Sequence, residues 1–242
     1  IDASARAGKS ARRVARPDSD MISEPNVRWL GRIAFGDALE LQEHAVAARR
    51  ANDDIVDEIL LLEHEPVYTI GRTPDRSSVP SENSLPHPLF AINRGGQATY
   101  HGPGQLVGYP ILNLKHYGQD LHRYLRWIEN VLTELLATYE IGAGTREGLT
   151  GVWVEQRKIA SIGVGVRHWI TMHGFALNVC GDLQPFASIV PCGISGVEMT
   201  SIEKETGRSI SVIDVAKDFE KMAGESLEAL AARSEASVAP NA

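Results

Sequence analysis

The chain has 242 residues, 43% hydrophobic and 23% charged, with a net charge of −7, which suits one large globular domain or two small ones. The acidic balance argues against a general nucleic-acid binder, which needs a basic face, and no apolar run is long enough to span a membrane. Two cysteines, Cys180 and Cys192, without C-x-x-C spacing, leave no zinc or redox motif and no disulfide framework, and a reducing cytoplasm fits best.

Residues 1–20 carry Arg6, Lys9, Arg12, Arg13 and Arg16 and no apolar face. They read as a disordered basic tail, with a transit peptide or a true start at Met21 as alternatives. Val27 to Phe35 alternates as a strand. A helix capped by Asp37 follows to about Arg50, with Ala38, Leu41, Ala45 and Ala48 on one face. Ile59 to Leu62 is a buried strand, and Val67 to Arg72 a second, in a hairpin with it. Residues 73–88, rich in Pro, Ser, Asp and Asn, are expected to be a mobile loop. Leu89 to Asn93 is a short strand.

Next comes Arg94-Gly-Gly-Gln-Ala-Thr-Tyr-His-Gly-Pro-Gly-Gln105, leading into an apolar strand from Leu106 to Leu114. Glycines let a ligand approach the main chain closely, and conformation alone does not explain the polar set among them. The stretch reads as a binding wall. It is no nucleotide fingerprint, because the third glycine of Gly102, Gly104 and Gly108 falls one place late and no P-loop occurs.

Asp120 caps a helix carrying Leu121, Tyr124, Leu125, Ile128, Leu132, Leu135 and Leu136 at helical spacing. Val152 to Val154, Lys158 to Val166 and Thr171 to Val179 are strands, the last two a hairpin. Leu183 to Pro191 is irregular. Ser211-Val-Ile-Asp214 is a capping box for a last helix striped by Ile213, Ala216, Phe219, Met222, Ala223 and Leu227. Neighbouring strands without intervening helices favour a mixed, largely antiparallel sheet with helices on one side. The expected organisation is a tail over 1–20, one catalytic domain over 21–233 and a disordered tail over 234–242.

Cys192, between Pro191 and Gly193, is the candidate nucleophile; Cys180 reads as structural. A thiol near its ordinary pKa of about 8.5 is only a few per cent thiolate at neutral pH, so an activator is needed. Lys158, His101 and His173 are the candidates. The eight histidines show no metal-ligand spacing, and no G-x-S-x-G is present.

Together the Arg94–Gln105 stretch, Arg157-Lys-Ile-Ala-Ser-Ile-Gly163, His173-Gly-Phe-Ala-Leu-Asn178 and Pro191-Cys-Gly-Ile-Ser195 resemble the lipoyl (octanoyl) transferases, from about Val27 to Lys217. The resemblance implies an α/β fold of α+β type like the biotin and lipoate protein ligases: a mixed, largely antiparallel sheet flanked by helices. It implies a thioester acyl-enzyme on Cys192 with Lys158 as partner. It also implies an acyl site at Arg94, Gly95, Gly96, Gln97, Ala98, Thr99, Tyr100, His101, Ser161, Ile162, Gly163, Gly174, Phe175 and Ala176. The octanoyl donor would be octanoyl-acyl carrier protein. The acceptors would be lipoyl domains of 2-oxoacid dehydrogenases and the glycine cleavage H protein. No cofactor, metal or ATP is implied, and the enzyme would act as a monomer in the cytoplasm. Acidic partners would need a basic patch, for which Arg72, Arg76 and Arg94 are candidates. The competing readings are an ATP-dependent ligase of similar fold, a non-catalytic module for acylated carriers, and a cysteine hydrolase.

Overall fold

Four successive apolar residues, Ile59 to Leu62, cannot hide on one face of a strand, because side chains alternate. In the computed structural model, which describes residues 23–79, 81–193 and 196–236, the strand is covered on both sides. Ile59 and Leu61 join the larger core cluster, while Leu60 and Leu62 join a second one.

The elements in order are β1 (Asn26–Ile33), α1 (Phe35–Ala51), β2 (Glu58–His64), β3 (Val67–Ile70), β4 (Leu89–Ala91), β5 (Thr99–His101), β6 (Gln105–Ile111) and α2 (Leu121–Thr138). There follow β7 (Gly144–Arg146), β8 (Leu149–Val154), β9 (Arg157–Arg167), β10 (Ile170–Asn178), β11 (Glu198–Met199), α3 (Ile202–Thr206) and α4 (Val212–Ala236). The main sheet runs β1-β2-β6-β10-β9-β8-β7, with β11 paired to β9. The β1–β2 and β9–β11 pairs are parallel, and the rest of the sheet is antiparallel. It is the mixed sheet expected.

Helices cover both faces rather than one. α2 and α4 bury Tyr124, Leu132, Phe219 and Leu227 on the first, and α1 buries Ala38 and Val46 on the other. Apolar residues on both faces of β2 need this second cover. α1 also turns differently from expectation. Its buried residues are Phe35, Ala38, Gln42, Val46 and Arg49, and it starts before Asp37, whose carboxylate lies in the first turn; Leu41 is 37% exposed. Two of the buried positions are polar, so hydrophobicity misplaces the face. Arg49 ion-pairs with Glu58 at 3.1 Å, and Gln42 accepts the His173 N–H.

Asp120 caps α2 as expected, accepting from the N–H groups of His122 and Arg123, and Ser211 Oγ accepts the Asp214 N–H at the start of α4. Leu121 and Ile213, at the first turns of these helices, are exposed. α4 continues to Ala236, past the boundary expected at 233; the 1–20 tail and residues 237–242 lie outside the described residues.

β3 forms no hairpin with β2. Both edges of β2 are taken, by β1 and β6, so β3 builds a separate sheet in the order β4-β3-β5. The 73–88 segment is more than a slack loop. Ser78 and Val79 are buried, Ser78 Oγ accepts the Ala98 N–H at 3.2 Å, and the Ser78 carbonyl accepts the Val190 N–H at 2.8 Å. It joins the Gly-rich wall to the segment leading to Cys192.

Candidate active site

A cavity of about 240 Å³ lies between β6, β9 and β10 on the α1 side and the 92–101 stretch. Arg94, Gly96, Gln97, Thr99 and His101 line it from the wall, and Ser161, Ile162, Gly163, Gly174, Phe175 and Ala176 from the sheet. Three residues of the expected acyl site do not line it. Strand alternation in β5 sends Thr99 and His101 to the cavity and Tyr100 the other way, into the small cluster with Tyr68 and Phe186. The Ala98 N–H goes to Ser78, and the Gly95 N–H donates to the Val164 carbonyl at 3.0 Å, tying the wall to β9.

Arg94 is 6% exposed. Its guanidinium donates to the carbonyls of Gly95 (2.9 Å), Gln97 (3.0 Å) and Thr69 (3.1 Å) and to Thr69 Oγ1 (2.9 Å). One planar fork thus fastens the loop to β3. Arg94 therefore leaves the surface patch expected for acidic partners, while Arg72 and Arg76 remain exposed.

The Thr200 carbonyl fixes the direction of a buried hydrogen-bond chain, because it can only accept. Asn178 Nδ2 donates to it at 2.9 Å, and Gln105 Nε2 donates to Asn178 Oδ1 at 3.0 Å. Gln105 Oε1 then accepts from His101 Nδ1–H at 2.8 Å, and His101 Nε2 accepts from the Thr69 hydroxyl at 3.2 Å. Burial first, then the charges of His64 and Arg94, lowers His101 from 6.5 to about 3. It is a neutral imidazole with both nitrogens engaged, which disfavours it as thiol activator. Thr200 closes the loop: its N–H donates to the Lys158 carbonyl at 3.0 Å.

Lys158 is 1% exposed. A bulge in the β8–β9 ladder, where Val152 pairs with Ala160 but Trp153 with Lys158, resets the alternation. Its ammonium donates to the carbonyl of Thr150, a residue of the cavity wall, at 3.0 Å, and sits 5.2 Å from the Trp153 ring centroid. Gly151 makes the room. Its φ is 128°, and a Cβ there would lie 2.7 Å from Lys158 Cε.

Cys192 lies in a 3₁₀ turn, Pro191–Gly193. The turn stands against the wall: a Cβ on Gly193 would lie 2.9 Å from Gln97 Nε2. The Gly193 N–H donates to the Val190 carbonyl at 2.9 Å, so this group serves the turn rather than an oxyanion. Downstream, β11 pairs Met199 with Lys158. The segment with Cys192 is thus anchored to the wall on one side and to the lysine strand on the other. Cys180, the other cysteine, is half-buried, and burial with Glu203 and Glu63 pushes its thiol up, in keeping with a structural role.

Sequence reading missed Thr150, Tyr109 and Phe35, all of which line the cavity, and His64. The Ile33 carbonyl holds the proton on His64 Nδ1 (3.1 Å), so Nε2 accepts from the Tyr109 hydroxyl at 2.7 Å. The apolar alternation of β2 and β6 was the available signal, since it puts both residues on the α1 face. His173, the third candidate activator, lines the cavity and pairs with Val164, six residues along β9 from Lys158, and burial lowers it from 6.5 to about 4.

The architecture is that of the lipoate and biotin protein ligases. A bipartite lipoate protein ligase of Thermoplasma acidophilum, solved in a study that includes its E2 lipoyl domain, superposes with a TM-score of 0.65 at 16% identity, covering 87% of this chain and 91% of that one. Biotin protein ligase from Aquifex aeolicus gives 0.52 at 14% identity, over 88% and 73%. Residues 35–223 match the lipoyl protein ligase A/B catalytic domain family, to which this chain belongs. Octanoyltransferases of Geobacter sulfurreducens (52% identical, 76% of this chain, 77% of the relative) and Geotalea uraniireducens (50%, 78% and 87%) are among its relatives. The chain is an enzyme of the acyltransferase class within that family. No helix among the described residues is long and apolar enough to cross a membrane.

Proposed function

We propose that the chain moves an octanoyl group from acyl carrier protein to the ε-amino group of a lysine on a lipoyl domain, through a thioester on Cys192. The acceptors are lipoyl domains of 2-oxoacid dehydrogenases and the glycine cleavage H protein, and the enzyme works as a cytoplasmic monomer. The observation that carries the reading is Lys158: a buried ammonium that does not itself line the cavity but is hydrogen-bonded to the carbonyl of Thr150, which does, on a strand tied to the Cys192 segment.

In the first step the Cys192 thiolate attacks the carrier thioester carbonyl. A C–S bond forms to Cys192, the C–S bond to the carrier breaks, and the carrier thiolate leaves with a proton from Lys158. In the second, the acceptor amine attacks the acyl-enzyme. An amide forms, Lys158 takes the amine's proton, and the sulfur of Cys192 departs. The lysine charge favours the thiolate and the oxyanion of each tetrahedral intermediate. Each buried methylene of the acyl tail adds about 0.8 kcal/mol, so an apolar cavity holds the group without a charged handle. Arg72 and Arg76 offer positive charge to acidic partners.

Intact-mass measurement after exposure to octanoyl-carrier protein, without ATP, tests this. Wild type gains one octanoyl group, Cys192→Ala gains none, and Lys158→Met loads at least about 100-fold more slowly. Transfer by Cys192→Ala would replace the acyl-enzyme with direct attack by the acceptor lysine. A requirement for ATP would make the enzyme a ligase, and release of free octanoate without acceptor would make it a hydrolase.

A further inference from the structure

One peptide unit beside the cavity is held between opposite charges. The Thr150 carbonyl accepts from the Lys158 ammonium at 3.0 Å, and the Gly151 N–H, the other end of the same amide, donates to Glu129 Oε1 of α2 at 3.1 Å. In a trans peptide these two groups point opposite ways, so the ammonium and the carboxylate stand on its two edges. Neither ladder register includes Thr150 or Gly151. The β7–β8 pairing joins Leu149 to Arg146 and Trp153 to Gly144 with an irregularity between, and the β8–β9 pairing begins at Val152. Glu129 is 1% exposed, among the buried residues of α2 with Ile128 and Leu132. A carboxylate is costly to bury there, and an apolar side chain would suit the helix face as well. Its other oxygen accepts from the exposed Arg126.

Resting on the octanoyl-transfer reading, we propose that Glu129 is a positioning residue for Lys158, acting through the Thr150–Gly151 peptide. The carboxylate fixes the plane of the amide and so aims the Thr150 carbonyl at the ammonium. Opposite charges at its two ends polarise the amide in one sense, and each hydrogen bond supports the other. Lysine has a flexible four-carbon stem, and Gly151 leaves room around it, since a Cβ there would lie 2.7 Å from Lys158 Cε. The carbonyl therefore decides where the charge sits. In this way α2, which has no residue in the cavity lining, governs the group that passes protons to the carrier thiolate and from the acceptor amine.

The test is kcat and KM for octanoyl transfer from carrier protein to a lipoyl domain, by wild type, Glu129→Met and Glu129→Gln, with Glu129→Met also made in a Lys158→Met background. Methionine keeps the length and removes the acceptor, whereas glutamine keeps an oxygen for the Gly151 N–H. Glu129→Met should lower kcat about 10-fold or more with KM within about 3-fold of wild type. Glu129→Gln should recover kcat to within about 3-fold. In the Lys158→Met background, Glu129→Met should cost less than a further factor of about 2, because no ammonium remains to be aimed. A tie that merely joins α2 to the sheet predicts an unchanged kcat in the folded variant, or the same loss with and without Lys158, and either result overturns the proposal. Equal losses in the methionine and glutamine variants would assign the effect to charge and overturn positioning through the peptide. If Glu129→Met does not fold, Glu129→Asp decides. It keeps the charge beside Arg126 but falls one methylene short of Gly151, so the same loss of kcat is expected, and an unchanged kcat is fatal. Failure of wild type to transfer octanoate would sink the underlying reading as well.

Discussion

The two walls of the cavity are held by different forces. The sheet wall is an unbroken ladder in which β10 pairs with β9 from Ile170↔Arg167 to Leu177↔Ala160, with β6 on its other side. Each residue's facing follows from the pleat. The loop wall has only the three residues of β5 in regular structure. It is held by the Arg94 fork, by the Gly95 link to β9 and by the chain of hydrogen bonds through His101, Gln105 and Asn178. Backbone pairing spreads its load over many equivalent bonds, whereas a side-chain network concentrates it in a few. Single substitutions should therefore separate the walls: backbone crowding breaks the first, and loss of one polar side chain loosens the second.

The largest effect is expected from Gly174→Val. A Cβ at Gly174 would lie 2.6 Å from Pro110 Cδ and press on the Gly108 carbonyl, so backbone would have to move. We expect a loss above about 4 kcal/mol, read as failure to fold or a large fall in the urea midpoint. A stability within about 1 kcal/mol of wild type would show that the sheet wall yields.

Arg94→Met should cost about 2–4 kcal/mol, because it leaves buried carbonyls of Thr69 and Gln97 unpaired. Hydrogen exchange should quicken in residues 95–99 and stay slow in β9 and β10. Arg94→Lys should not restore protection, since an ammonium lacks the fork. Equal loss of protection in both walls would mean that they unfold as one unit.

Acid should act more mildly. His64, His101 and His173 are lowered by burial from 6.5 to about 4, 3 and 4. The unfolded chain then binds more protons than the folded one, so stability is full above pH 6.5 and declines as pH falls toward 4. Each histidine contributes up to about 1.4 kcal/mol per pH unit in that window. His101→Gln should reduce the loss between pH 6.5 and 5.5 by about 1 kcal/mol in urea titrations; an unchanged slope would show that His101 titrates normally in the fold. The smallest effect belongs to Asp75→Ala. Its carboxylate accepts from Gln97 at 2.8 Å on the exposed side of the loop, and its removal should cost less than about 0.5 kcal/mol while leaving the exchange pattern alone.

Much of the sheet wall is legible in the sequence. The β9–β10 hairpin and α2 with its Asp120 cap follow from spacing and capping residues, since these are local properties of the backbone. The α1 face was not, because Gln42 and Arg49 are buried through partners far away in sequence. Nor was the fate of β3, which depended on whether β2 had a free edge. Arg94 looked like a surface cation, and only its four acceptors make it an internal clamp.

By itself, then, the sequence determined the family motifs, the residue types available for acyl transfer and most strand and helix boundaries. These rest on identity and local periodicity. The tertiary structure decided which of those residues share a cavity: Tyr100 turned away, Tyr109, Thr150 and His173 brought in, and Lys158 left beside it, bound to the Thr150 carbonyl. These placements depend on strand register and on contacts between segments distant along the chain, which no local pattern encodes.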